Sequence, residues 1–128
     1  MLNMVNAIKE KYHEFGDAKI ERIEYRLEGE QSKYYMLSIY LVCFNWPSEK
    51  WENVRLDFWD VFVFRYVDTI KLRNSVVFEA MLVEDETGII CDFYPIQVDG
   101  LGKLGEDPKS SFVVHSRTIA YEVLSPID

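Results

Sequence analysis

A chain of 128 residues that is 48% hydrophobic and 15% aromatic suits a single domain, 1–128, with a real core, and it is too apolar throughout to be disordered. Its net charge of −8 is uneven: residues 1–73 hold 11 Lys/Arg against 12 Asp/Glu, and residues 74–128 hold 3 against 10. Such a field excludes nucleic acid as a partner and favours a basic protein surface, while the absence of any apolar run near ~20 residues argues against a membrane span.

The N-terminal stretch predicts one amphipathic helix over residues 2–15. Leu2, Val5, Ile8, Tyr12 and Phe15 recur at steps of three and four, and Gly16 supplies a stop. The charges at Lys9, Glu10, Lys11 and Glu14 break up any signal-peptide core, so the expected location is cytoplasmic. The period then changes to two. Ile23, Tyr25 and Leu27 alternate with Arg22, Glu24 and Arg26, which predicts a strand with one wet face, and Gly29 closes a hairpin.

Residues 34–44 are apolar on both faces, as in a central strand covered above and below. Either the sheet's own curl or a second copy of the chain would cover the further face, so a homo-oligomer through residues 34–44 is an expectation. A loop around Pro47 follows, flanked by Trp46 and Trp51. In the next run, Val54, Leu56 and Phe58 lie in phase with Phe62, Phe64 and Tyr66. Asp60 falls on that apolar face, so a bulge over residues 59–61 is expected to re-aim it.

Residues 68–74 read as a polar turn, and Val76, Phe78, Ala80 and Leu82 as a strand with Glu79 on its wet side. The turn is 84–88, and residues 89–94 return with Asp92 outward. Residues 97–110 read as a loop. Phe112 and Val114 differ in phase from Ile119, Tyr121 and Val123, which predicts a bulge or turn at 115–118. The sum is an α+β domain: an N-terminal helix packed on a curved antiparallel sheet of about six strands.

The chemistry-bearing residues form no legible catalytic set. Gly100 to Gly105 matches G-x-G-x-x-G, but Glu106, Asp107 and Pro108 follow where a nucleotide fold needs a helix. His13 and His115 stand apart and without ligand-spaced neighbours, so no zinc site is expected, and no cofactor. The turn at Glu84, Asp85 and Glu86 lacks EF-hand spacing. Cys43 and Cys91 fall in phase with larger apolar neighbours and read as buried thiols.

From residue 53 the chain reads NVRLDFWDVFVFR, followed by the acidic strand pair and Asp99-Gly100. Over roughly residues 50–100 this resembles small β-rich bacterial proteins, among them immunity proteins of polymorphic toxin systems. The resemblance implies a non-catalytic acidic protein that blocks a basic toxin domain. The expected function is accordingly a protein-interaction module, with Trp46, Trp51, Glu79, Glu84, Asp85, Glu86 and Asp92 on its partner-binding surface. The alternative is a small-molecule-binding domain or enzyme with an aromatic-lined pocket between helix and sheet.

Overall fold

The computed structural model describes residues 3–67, 76–77, 79–98 and 103–126. Leu2, Phe78, the expected turn at 68–74 and the glycine stretch at 99–102 lie outside the described residues. The architecture is mostly β. One short helix, α1 (Met4–Tyr12), lies on a six-stranded antiparallel sheet, and a two-stranded ribbon stands beside it. The sheet contains β1 (Lys19–Glu28), β2 (Tyr34–Asn45), β3 (Lys50–Tyr66), β4 (Met81–Asp85), β5 (Gly88–Asp92) and β8 (Phe112–Pro126), in the spatial order β1-β2-β3-β8-β5-β4. The ribbon pairs β6 (Ile96–Val98) with β7 (Lys103–Gly105), where a loop was expected.

The helix is shorter than its hydrophobic period. Asn3 caps it by accepting the Asn6 N–H at 2.8 Å. It stops at His13, which takes a positive φ of 52°, three residues before Gly16. The chain beyond it is tied to neighbouring segments instead. Glu14 C=O accepts from the Ala80 N–H at 2.6 Å, and Ala18 and Val77 bind the chain through Val77 N–H to Ala18 C=O at 2.7 Å. Phe15 therefore reaches the core without being helical. The same bonds explain why the strand expected from Val76 begins only at Met81. The backbone of 77 and 80 is already committed to residues 14–18.

One face of the sheet is the core. Leu37, Ile39 and Leu41 pair with Phe58, Leu56 and Val54, and α1 lays Val5, Ile8 and Tyr12 over that surface. Asp60 is re-aimed as expected, but the register shift of β3 falls just beyond residues 59–61, between Val61 and Val63. Asp60 takes φ 57°, its side chain is half exposed, and Arg117 binds it at 2.9 Å. Its consequence differs from the expectation, because Val61 rather than Phe62 turns inward and Phe62 is left exposed. The register against β8 shifts between Val61 and Val63, opposite Ser116 and His115, so the phase change read in β8 is matched on its partner strand.

Cys43 and Cys91 are buried and unpaired, as expected. Burial pushes the Cys43 thiol up to about 12, and the Cys91 thiol is likewise raised, chiefly by burial. No helix of the described chain is long and apolar enough to cross a membrane.

Candidate functional site

Alternation along β1, β2 and β3 builds a second sheet face, opposite the core. The register places Arg22, Tyr40, Arg55 and Glu122 in one row across four strands. The next row is Glu24, Ser38, Asp57 and Ala120, and the third is Arg26, Met36, Trp59 and Thr118. Residues 34–44 are thus apolar on one side against the core, while their other side shares a surface with arginines and carboxylates.

Asp57 is the centre of this face. Its side chain is only 8% exposed. Ser38 Oγ donates to it at 2.6 Å, and Arg55 Nε donates to both its oxygens at 3.1 and 3.0 Å. A carboxylate so placed is tolerable only because it is paired and hydrogen-bonded. Arg55 also reaches Glu122 at 2.7 Å, and its pKa is raised first by the bond to Asp57. Arg26 binds Glu28 at 2.9 Å and Glu24 at 3.1 Å, and its pKa is raised first by the bond to Glu28. Arg22 pairs with Glu24 and lies over the Tyr40 ring, 4.7 Å from its centroid.

Aromatic side chains stand at both ends of this polar ladder. Trp59 packs against Tyr34 at one end, with ring centroids 6.1 Å apart. At the other, Phe44 lies edge-on to Trp51 at 5.5 Å and to Trp46 at 4.9 Å, and Trp46 stacks on His13 at 5.1 Å. Trp46, Trp51 and Trp59 remain 49, 40 and 38% exposed, so all three tryptophans of the chain present area to solvent. Trp59 thus joins Trp46 and Trp51 as an exposed tryptophan beside a polar centre, Asp57, that the linear sequence did not single out.

The acidic residues fare differently. Asp92 was expected outward, and this is corrected: it is completely buried. It does lie on the face opposite the core, between Met81 and Val113, but residues 106–110 close over it. Its oxygens accept from Ser110 Oγ at 2.6 Å, Asp107 N–H at 2.8 Å and Tyr94 N–H at 2.9 Å. Asp85 folds back onto its own turn, where it accepts from Thr87 Oγ1 at 2.6 Å, and that bond first holds its pKa below the ordinary value. Glu84 accepts from Asn3 at 3.1 Å and so ties β4 to the start of α1. Glu86 is exposed beside Asp60, Phe62 and Arg117. Glu79 borders a different hollow, near Lys9 and His13. The acidic stretch therefore does not form one surface. Glu106 is occupied by His115, Nε2 to Oε1 at 2.9 Å, an arrangement that fastens the 106–110 loop to β8.

A concavity of about 470 Å³ opens on the core side, between β1, the end of β3 and the start of β8. Ile23, Tyr25, Phe64, Tyr66, Val77 and Phe112 are among its walls. No helical residue lines it, so it stands beside the helix rather than between helix and sheet. Tyr25 there has a raised pKa, from burial first and then from Tyr35. Among the described residues, no group of three or more His, Cys, Asp or Glu is placed to hold a metal ion.

No protein-family model matches the sequence, and neither a curated protein nor a solved structure is found to be similar to it.

Proposed function

We propose that this chain is a non-catalytic protein-interaction module that docks a basic protein through the outer face of β1–β3. The observation that carries the reading is the composition of that face. Trp51, Trp59 and the adjoining Trp46 are partly exposed around Arg26, Arg55 and the held carboxylate of Asp57. Tryptophan, tyrosine and arginine dominate the energetics of protein interfaces, and pre-bonded arginines lose little freedom on docking. The net charge of −8 supplies the attraction for a basic partner at long range, which raises association rate more than contact energy. The specific version is an immunity-type inhibitor of a basic toxin domain. It rests on the resemblance of residues 50–100 and on that charge.

Affinity capture from the native host at low salt, with elution by a salt step, tests the proposal. The expected result is a basic protein retained by the wild type and lost by a Trp51→Ala/Trp59→Ala variant of unchanged circular dichroism, since both side chains are partly exposed and leave the Arg55–Asp57 pair intact. Co-expression is then expected to suppress the toxicity of the captured protein. Identical retention by the variant would remove this face from the account.

A second reading has its own observation, the 470 Å³ concavity, whose size falls in the ordinary range for small-molecule sites. An apolar fluorescent dye is expected to bind there and to be displaced in Ile23→Trp, which fills the space. Equal dye binding by both proteins would refute it.

A further inference from the structure

We infer that the free edge of β1 is a homodimer interface, in which two copies of this chain join by antiparallel pairing of their β1 strands about Tyr25. Among the described residues, β1 is paired on one side only, by β2, and it is the longer of the two sheet edges, ten residues against five for β4. Its outward backbone groups are thus a template for another strand. Natural edges are commonly protected by charge, and β1 is charged, but the order of its charges is self-complementary.

With Tyr25 opposite its own copy, Glu24 faces Arg26 of the second copy, and Arg22 faces Glu28. Both pairings occur twice by symmetry, and all are of opposite sign. On the other side of the strand, Ile23 faces Leu27. This covers Tyr25 and Leu27, which are otherwise 45 and 53% exposed. Opposed residues in this register are both odd-numbered or both even-numbered. The residues whose N–H and C=O point away from β2 therefore meet one another, as an antiparallel ladder requires. Within one copy the charges are already extended along the strand, through Arg22 to Glu24 and through Arg26 to both Glu24 and Glu28. Residues directly opposite across an antiparallel pair come within reach of such side chains. A strand of arbitrary sequence would meet this edge with unmatched charges, whereas a second copy matches it. A closed two-fold pair also ends the edge, since neither copy is left with an open β1.

Size exclusion with light scattering is expected to give twice the 15.1 kDa chain mass, with the dimer fraction falling as salt rises. Arg22→Glu/Arg26→Glu and Glu24→Arg/Glu28→Arg are each expected to be monomeric. Mixed in equal amounts they restore opposite charges across the edge, so the doubled mass returns. That recovery separates interface loss from misfolding. Register is read by cross-linking, because opposed Cα atoms about 4.5–5.5 Å apart suit a disulfide. Oxidised Tyr25→Cys is expected to run as a covalent dimer, and Ile23→Cys to link only when mixed with Leu27→Cys. The native Cys43 and Cys91 are buried and stay silent. A wild-type chain that is monomeric at its highest soluble concentration overturns the proposal. So does a dimer unmoved by both charge variants, or Ile23→Cys linking to itself as readily as Tyr25→Cys does.

Discussion

At Asp92 the carboxylate has three protein donors and no solvent, and it fastens residues 107–110 over β5. Asp92→Ala is expected to cost about 3 kcal/mol in chemical denaturation, because it strands buried donors rather than deleting a whole pair. Tyr12 is a milder case. Its hydroxyl donates to Glu52 at 2.8 Å, and Asn45 also donates to Glu52, at 3.1 Å. Tyr12→Phe is therefore expected to lose about 1 kcal/mol, since Glu52 keeps one donor. Asp85 links the fold to pH. Its turn donors hold its pKa down, so its charge stabilises the native state above the unfolded pKa, and this is lost as pH falls through the folded value. Denaturant titrations at several pH values are expected to show Asp85→Ala less stable than wild type at neutral pH, with the gap closing in acid. A gap that stays constant into strong acid would assign the effect to turn geometry alone.

At the scale of elements, the hairpin of β4 and β5 depends on Gly88. Its φ is +136°, and a Cβ placed there would stand 2.3 Å from the Ser116 carbonyl oxygen on β8. Gly88→Ala is expected to cost roughly 2 kcal/mol or more in thermal or denaturant unfolding, from a strained φ and a forced retreat of β8. Sequence reasoning found this turn from its residue types, and found the strands from period-two alternation. The re-aiming of Asp60 was legible because a carboxylate cannot sit unpaired among Leu56, Phe58 and their neighbours, but the register shift itself lies further on, between Val61 and Val63. Sequence reasoning placed the helix end wrongly. The stop at His13 comes from tertiary bonds to residues 77 and 80, which leave no signature in local spacing.

At the scale of the whole molecule, the two thiols offer a direct check on packing. Cys43 and Cys91 are fully buried, and both thiols are held in the protonated form. In the native state at pH 8, both are expected to resist a thiol reagent, and both are expected to react in denaturant. Fast modification of either would show that the sheet opens locally.

The candidate face shows where legibility ended. Trp46 and Trp51 stood out because they flank a proline, whereas Arg55, Asp57 and Trp59 lay inside an alternating run that carried a family resemblance but nothing to mark them as a site. What joins them to Arg26 and Ser38 is the register of β1, β2 and β3, which depends on pairing across turns. The amino-acid sequence by itself determined the alternation, the N-terminal helix, the buried thiols and the excess of negative charge, because each follows from residue type and local period. Only the tertiary structure decided which of those charges and aromatic side chains meet solvent. The pleat assigns a side to Asp92 and Asp57 alike, but solvent contact depends on what folds over that side. Residues 106–110 close over Asp92, whereas the face around Asp57 keeps its tryptophans in water.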